Sequence, residues 1–213
     1  SVGIVANQRQ VVKSKTGEMQ FGGVIYGDAA DKATRFIANC NQRKIPLVFL
    51  QDVTGFMVGS KAEHSGIIKD GAKMVNAVAN SVVPKFTIVI GNSFGAGNYA
   101  MCGRAFDPRF MVAWPTAKIA VMGGSQASNV LWQIEKASLK NTNKEVNQQK
   151  EDDLKKEIQS RYEQKTEILN AASQLWIDAV IDPVDTRNWI STGIEIANES
   201  PLTEKFNMGI LQV

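Results

Sequence analysis

The sequence has few of the side chains that bind metals or form disulfides. Among its 213 residues there are one histidine, His64, and two cysteines, Cys40 and Cys102, which lie in no Cys-x-x-Cys spacing. Two distant cysteines predict reduced thiols in the core and a cytosolic-type compartment. A single histidine without a cysteine cluster also argues against a zinc site or another first-row metal site. We therefore expect no bound metal.

Long hydrophobic runs and a strong charge of one sign are also missing. No apolar run reaches the roughly 18 residues of a transmembrane helix, and no secretory signal precedes residue 20. The 24 Lys and Arg residues against 21 Asp and Glu residues give a net charge of only +3, and no basic stripe is visible. We therefore expect neither a membrane nor a nucleic acid as a partner.

What the chain does have is an alternation of strand-like and helical patterns. Leu47–Gln51, Phe86–Ile90 and Lys118–Met122 are mainly apolar runs, and each is followed by a glycine-bearing segment and then by helical spacing. This order predicts an α/β domain over residues 1–213, with a mainly parallel sheet covered on both faces. Ligands bind at the carboxyl ends of the strands in such sheets, where the three glycine segments would lie.

Residues 135–168 differ from the rest of the chain. Nearly half of them are charged, with both signs equally represented, and they include no glycine or proline. Glu151/Lys155 and Glu157/Arg161 have the four-residue spacing of favourable ion pairs on a helix. The segment therefore predicts a projecting, solvated helix or helix pair. A role in binding a partner is a second interpretation.

The run Gly91–Gly95 has the pattern Gly-x-Ser-x-Gly, with Ser93 at its centre, between a predicted strand and a predicted helix. In an α/β-hydrolase this pattern is the nucleophile elbow, and the catalytic histidine follows the serine in the chain. Here His64 precedes Ser93, and this order argues against a serine hydrolase. His64 could be a lone general base, but its place at a predicted helix start is more typical of a surface histidine.

The segment Gly91–Gly97 is predicted to be a loop, and its last three residues are all very small. Small residues let a ligand approach the main chain, and the first turn of a helix leaves N–H groups that can hold a developing oxyanion. The glycines could instead serve only a tight turn and close packing. The sequence leaves both interpretations open, and Met122–Gly124 carries the same argument more weakly.

Ordered motifs run through the whole chain, and together they point to one family. They are Leu50–Gly59 (LQDVTGFMVG), Glu63–Lys73 (EHSGIIKDGAK), Gly95–Arg104 (GAGNYAMCGR), Ala113–Gly124 (AWPTAKIAVMGG) and Val180–Arg187 (VIDPVDTR). The chain resembles the carboxyltransferase (β) subunit of biotin-dependent acyl-CoA carboxylases. Its third motif is more similar to the 3-methylcrotonyl-CoA and geranyl-CoA branch than to the propionyl-CoA branch.

The resemblance implies a crotonase-like α/β fold of the ClpP/crotonase superfamily, with residues 135–168 as a charged helical arm. Subunits of this family have two related halves, and the chain resembles only the second. We therefore expect residues 1–213 to be the carboxyl-terminal carboxyltransferase domain, with the amino-terminal half absent. The family's active site lies between the first half of one subunit and the second half of another, so the chain alone should be incomplete as an enzyme.

The resemblance also implies a mechanism that uses main-chain donors. Carboxybiotin on a partner's carrier domain releases carbon dioxide in the closed site, and N–H groups that correspond to Ala96 and Gly97 hold the ureido oxygen. The residues implied for the biotin pocket are Phe56, Val58, Gly59 and Gly95. The residues implied for contact with the acyl-CoA are Met122, Gly123 and Gly124. We expect Gly97→Val to abolish transfer while leaving the fold largely intact.

The implied function is carboxyl transfer from carboxybiotin to an acyl-CoA, here 3-methylcrotonyl-CoA, a step of leucine degradation. The implied partners are a biotin carboxylase/biotin carboxyl carrier subunit, the chain's own amino-terminal half and further copies in a hexamer. The implied location is a bacterial cytoplasm or the mitochondrial matrix. Three alternatives stay open: a subunit of a biotin-dependent acyl-CoA decarboxylase, a crotonase-like hydratase or isomerase, and a catalytically silent assembly domain. Ser125 and Ser128 depart from the family pattern and leave the substrate in question.

Overall fold

The computed structural model describes residues 1–14, 17–141, 148–200, 204–207 and 209, and along them strands alternate with helices. The strands are β1 (Gly3–Ala6), β2 (Val12–Lys13), β3 (Met19–Gln20), β4 (Val24–Ile25), β5 (Leu47–Val53), β6 (Gly55–Phe56), β7 (Lys85–Phe94), β8 (Phe110–Ala113), β9 (Lys118–Ala120) and β10 (Ala179–Val180). The helices are α1 (Gly27–Gln42), α2 (Ser60–His64), α3 (Ile67–Ala79), α4 (Gly95–Ala100), α5 (Gly124–Asn141), α6 (Gln148–Thr166), α7 (Ile168–Ser173) and α8 (Thr186–Asn198). Short 3-10 turns cover Arg104–Phe106 and Pro183–Asp185.

The main sheet is parallel, as the apolar runs predicted. Its strands lie in the order β1-β5-β7-β8-β10, and β9 also pairs with β7. All of these pairings are parallel. Every residue of β5 except Leu50 is buried, because a central parallel strand is covered on both faces. The short pairs β2–β3 and β4–β6 form separate two-stranded sheets.

The strand β7 is longer than the predicted run Phe86–Ile90, and it changes partner along its length. Its first half pairs with β8 and its second half pairs with β9. In the second half, the N–H of Asn92 donates to Asp52 Oδ1 at 2.9 Å. The predicted loop Gly91–Gly97 is therefore wrong, because these bonds keep the chain extended as far as Phe94 and the next residue begins α4.

Helices cover both faces of the sheet. Alternate residues of β5 point to opposite faces, so Phe49 lies in the core under α1 and α3, whereas Val48 lies in the core beside α8. Gly193 lets α8 approach the sheet closely, since a Cβ at this position would lie 2.5 Å from Phe110 Cε1. The two cores fix β5 and β7, which carry the residues of the candidate site at their carboxyl ends.

The charged segment forms a helix pair, as predicted. α5 and α6 pack against each other, and Trp132 of α5 is buried. The predicted ion pairs are present, with N–O distances of 2.6 Å for Glu151–Lys155 and 2.8 Å for Glu157–Arg161. Residues 142–147 of the predicted arm lie outside the described residues. Whether the pair projects from the body stays a prediction.

Candidate active site

The junction between β7 and α4 presents two backbone donors. Phe94 ends the strand in an extended conformation (φ −116°, ψ 141°), and α4 begins at the next residue. The first N–H groups of a helix have no acceptor in a preceding turn. For the N–H groups of Ala96 and Gly97, the described residues offer no other acceptor. Ala96 is exposed and Gly97 is buried, so a ligand from solvent reaches this turn at Ala96.

The junction needs a glycine at position 95 for its backbone conformation and a glycine at position 97 for its packing. Gly95 has φ +55°, and a Cβ there would lie 3.0 Å from the carbonyl oxygen of Val121. A Cβ on Gly97 would lie only 2.5 Å from Val53 Cγ2. Both glycines therefore allow a tight turn with close packing. The free N–H groups of Ala96 and Gly97 are present in addition to that structural role. The expectation that Gly97→Val leaves the fold largely intact is wrong, because the added side chain collides with β5.

A cavity of about 420 Å³ opens beside Ala96, and its lining is mainly apolar. Tyr99 and Trp176 contribute aromatic rings to it. Arg104 contributes a guanidinium group, whose Nη1 lies 2.9 and 2.8 Å from the two carboxylate oxygens of Asp178. The cation in the lining is therefore paired, and the rest of the lining offers a mainly apolar surface beside Ala96.

The residues predicted to form the biotin pocket do not all line this cavity. Gly95 lines the cavity. Phe56 belongs to β6, which also contacts α4, but its ring packs into the core against α3. Val58 is 77% exposed, and Gly59 directly precedes α2. Phe56, Val58 and Gly59 do not line the cavity. Their role in binding biotin stays a prediction.

Met122, Gly123 and Gly124 were predicted to touch the acyl-CoA. They follow Val121, which lines the cavity, but do not line it themselves. A Cβ on Gly123 or Gly124 would meet its nearest atom at 3.6 or 3.5 Å, which is an ordinary contact distance, and neither residue has positive φ. A tight turn with close packing therefore does not explain these two glycines as it explains Gly95 and Gly97. Their contact with a substrate stays a prediction.

Ser93 borders the cavity, but its hydrogen bonds argue against a nucleophile. Its side chain is completely buried, and Oγ donates to Gln51 Oε1 at 2.6 Å and accepts from Asn98 Nδ2 at 2.7 Å. His64 is exposed at the end of α2 and takes no part in these bonds. The geometry thus agrees with the chain-order argument against a serine hydrolase.

Sequence reasoning missed Gln51. Its Nε2 donates to the carbonyl oxygens of Met101 at 2.8 Å and Asn98 at 3.4 Å, which links β5 to the carboxyl end of α4. The available signal was a glutamine at the end of the apolar run Leu47–Gln51, since a buried amide must find hydrogen-bond partners.

The two cysteines are free and buried, as predicted. Burial raises the pKa of Cys102 to about 11, and burial also raises the pKa of Cys40. Across the described ranges, no three His, Cys, Asp or Glu side chains lie close enough together to hold a metal ion. None of the helices that the structure describes combines the length and the apolar character needed to cross a membrane.

Residues 1–208 match the family described as the carboxyl transferase domain. The chain belongs to this family. The mitochondrial methylcrotonoyl-CoA carboxylase beta chain of Dictyostelium discoideum is 47% identical to this carboxyl transferase domain over 94% of the chain. The crystal structure of the P. aeruginosa geranyl-CoA carboxylase beta subunit superposes with a TM-score of 0.78, at 38% identity over 92% of the chain. That of transcarboxylase 12S superposes with a TM-score of 0.79, at 34% identity over 100% of it.

These comparisons confirm the predicted family and the crotonase-like α/β fold. They also show how much of each relative the carboxyl transferase domain matches. It covers 32% of the Dictyostelium protein, 36% of the geranyl-CoA carboxylase subunit and 38% of the transcarboxylase chain. The chain thus spans about a third of the length of these relatives.

Proposed function

We propose that this chain is the carboxyl-terminal half of a carboxyltransferase subunit, and that it helps to transfer a carboxyl group from carboxybiotin to 3-methylcrotonyl-CoA. The observation that carries the proposal is the pair of free N–H groups at Ala96 and Gly97, in a chain 47% identical to a methylcrotonoyl-CoA carboxylase beta chain. The likeness to a geranyl-CoA carboxylase subunit supports the same class of acyl-CoA.

The donor pair suits the biotin side of this reaction. When bound, carboxybiotin supplies the carboxyl group, and its ureido oxygen gains negative charge as that group leaves. We infer that the N–H groups of Ala96 and Gly97 hold this oxygen. Their lack of acceptors supports this role, as does the small side chain of the exposed Ala96. One such donor contributes about 3 kcal/mol to the stability of a transition state.

The side chains around the cavity support a mechanism without a basic residue from this chain. The ionisable side chains among its lining residues are Tyr99 and Arg104. A guanidinium offers only hydrogen-bond donors and is here already paired with Asp178, and a phenol is a poor proton acceptor, so neither is suited to act as a general base. This half of the subunit therefore contributes main-chain donors, an apolar wall and orientation of the reacting groups.

The partners follow from the same family. The transcarboxylase 12S structure, similar at TM-score 0.79, is a hexamer assembly with hydrolysed methylmalonyl-CoA bound. We infer that the full subunit also forms a hexamer, that its amino-terminal half binds most of the acyl-CoA, and that a separate biotin-carrying subunit delivers the carboxyl group. The name of the Dictyostelium relative supports the mitochondrial matrix as one location, and a bacterial cytoplasm is the other.

Carbon fixation by the full-length subunit tests this proposal. The subunit is combined with its biotinylated partner, ATP and labelled bicarbonate, and each of several acyl-CoA thioesters is offered in turn. We expect acid-stable label with 3-methylcrotonyl-CoA and none with this chain alone in place of the full subunit. Label only with propionyl-CoA would correct the substrate. No label with any thioester would contradict the proposal.

A further inference from the structure

Three polar side chains, those of Gln51, Ser93 and Asn98, form a continuous hydrogen-bonded network beneath α4. Ser93 Oγ of β7 donates to Gln51 Oε1 of β5, and Asn98 Nδ2 of α4 donates to Ser93 Oγ. Gln51 and Ser93 are completely buried, and Asn98 is partly buried. The network therefore connects β5 and β7, two neighbouring strands of the sheet, to α4, the helix that carries the two N–H donors.

Every hydrogen bond in this network has only one possible direction. Gln51 Nε2 faces the carbonyl oxygens of Met101 and Asn98, which can only accept, so Oε1 must face Ser93. The Ser93 hydroxyl then gives its proton to Oε1 and uses a lone pair to accept from Asn98 Nδ2. A network with one proton arrangement and no unpaired member holds one geometry of its elements.

The helix α4 needs such support. It has six residues, and no side chain caps its amino end. A helix this short is unstable by itself, because helix nucleation is unfavourable. Gln51 and Ser93 fix it through Asn98 and Met101, while Gly97 lies tightly against Val53 on its inner side. The direction of the Ala96 and Gly97 donors therefore depends on these contacts.

We propose that Gln51, Ser93 and Asn98 form a positioning network that aims the N–H groups of Ala96 and Gly97 at the developing oxyanion. The inference rests on the proposed function, since it assigns the network a role in the same carboxyl transfer. Gln51 and Ser93 act through α4 and are positioning residues. Their loss reduces the rate of turnover more than it changes the binding of the acyl-CoA.

Ser93→Ala in the full-length subunit, assayed with its biotinylated partner, removes the centre of the network. The matched control is Ser81→Ala, which removes another buried serine whose Oγ bonds an amide oxygen, that of Asn41 at 3.1 Å, in a different part of the core. We expect Ser93→Ala to lower kcat about 10- to 100-fold with little change in KM for the acyl-CoA, as a misplaced catalytic group does. Ser81→Ala should keep kcat within about twofold. It should also lose less stability than Ser93→Ala, because it removes one hydrogen bond and leaves Asn41 Oδ1 bonded to the N–H groups of Val82 and Val83, whereas Ser93→Ala removes two.

Combination with Ala96→Pro shows whether the network acts through the donors. Proline removes the Ala96 N–H and is tolerated in the first turn of a helix, and Gly95 at φ +55° lies outside the right-handed helical region that a following proline disfavours. We expect Ser93→Ala to lower kcat by clearly less in the Ala96→Pro background than in the wild type, because only the Gly97 N–H is then left to be misdirected.

Three results would overturn the positioning role. The first is equal kcat for Ser93→Ala and Ser81→Ala. The second is a double variant, Ser93→Ala with Ala96→Pro, whose loss of kcat is the full combination of the two single losses. The third is full activity of Ala96→Pro, which would also overturn the oxyanion assignment on which the inference rests. Should Ser93→Ala fail to fold, Gln51→Met, which keeps the side-chain volume without the amide, is measured in the same cycle with the same expected result.

Discussion

Cys102 lies two residues after the end of α4 in a left-handed conformation (φ +60°), and it is completely buried. Burial raises the pKa of this thiol to about 11, from 9.0 for a free thiol. The folded protein therefore keeps a proton that the unfolded chain loses as the pH rises above about 9. Between pH 9 and 11 we expect this group to lower the free energy of unfolding by up to about 1 kcal/mol per pH unit.

Urea unfolding of the wild type and of Cys102→Ala across this pH range measures the effect. The wild type should lose more stability than the variant, because other groups that titrate at high pH are common to both. Equal dependence on pH in the two proteins would contradict the raised pKa.

The part of the site that could be predicted from the sequence consists of residues whose own backbone conformation restricts the side chain. The Gly95–Gly97 turn was found from the sequence because very small residues at a strand-to-helix junction restrict the backbone whatever surrounds them. Gln51 was not found, since its partners Ser93 and Met101 lie 42 and 50 positions away. A sequence shows that a buried amide needs partners, but the fold decides which residues they are.

At the scale of elements, the contact between α4 and β5 depends on the missing side chain of Gly97. Because a Cβ there would lie 2.5 Å from Val53 Cγ2, we expect Gly97→Ala to destabilise the protein by about 1–3 kcal/mol. Val53→Ala opens space at the same contact. The double variant should therefore lose at least about 1 kcal/mol less than the sum of the single variants. Thermal unfolding of the four proteins measures this, and additive losses would contradict the close contact.

The strands β5 and β7 were predicted because buried parallel strands are apolar on both faces. The end of β7 was not predicted, because it depends on pairing with β9 and on the bond from the Asn92 N–H to Asp52, both of which join distant parts of the chain. The charged helix pair was predicted, since its spacing favours ion pairs within one helix.

At the scale of the whole molecule, Asp178 joins parts of the chain that are far apart in sequence. Its carboxylate pairs with Arg104 and also accepts the N–H of Met111 at 2.7 Å. The ion pair is largely exposed, so we expect Arg104→Met to change stability by less than about 1 kcal/mol. Asp178→Ala should cost about 1–3 kcal/mol, because it leaves the Met111 N–H without its acceptor.

Asp178→Asn separates the two roles, since its amide oxygen still accepts from Met111 while the negative charge is lost. Chemical denaturation should place its stability close to that of Arg104→Met. A loss as large as that of Asp178→Ala would show that the charge, rather than the acceptor, is what the fold needs.

The family and fold were predicted from motifs along the whole chain, and the α/β sheet was predicted from apolar runs alone. The proposed division of the active site came from the resemblance alone, because apolar runs and helical spacing within one chain do not show which surfaces meet another part of a protein. The chain spans about a third of the length of these relatives.

The central claim is that main-chain N–H groups of α4 stabilise the oxyanion of the transfer reaction. The most direct measurement compares kcat of labelled bicarbonate fixation for full-length Ala96→Pro and Ala96→Ser. Both replace an exposed side chain, but only proline removes the N–H. We expect kcat to fall about 10²- to 10³-fold in Ala96→Pro and to stay within about threefold of the wild type in Ala96→Ser. Equal activity of the two variants would contradict the account.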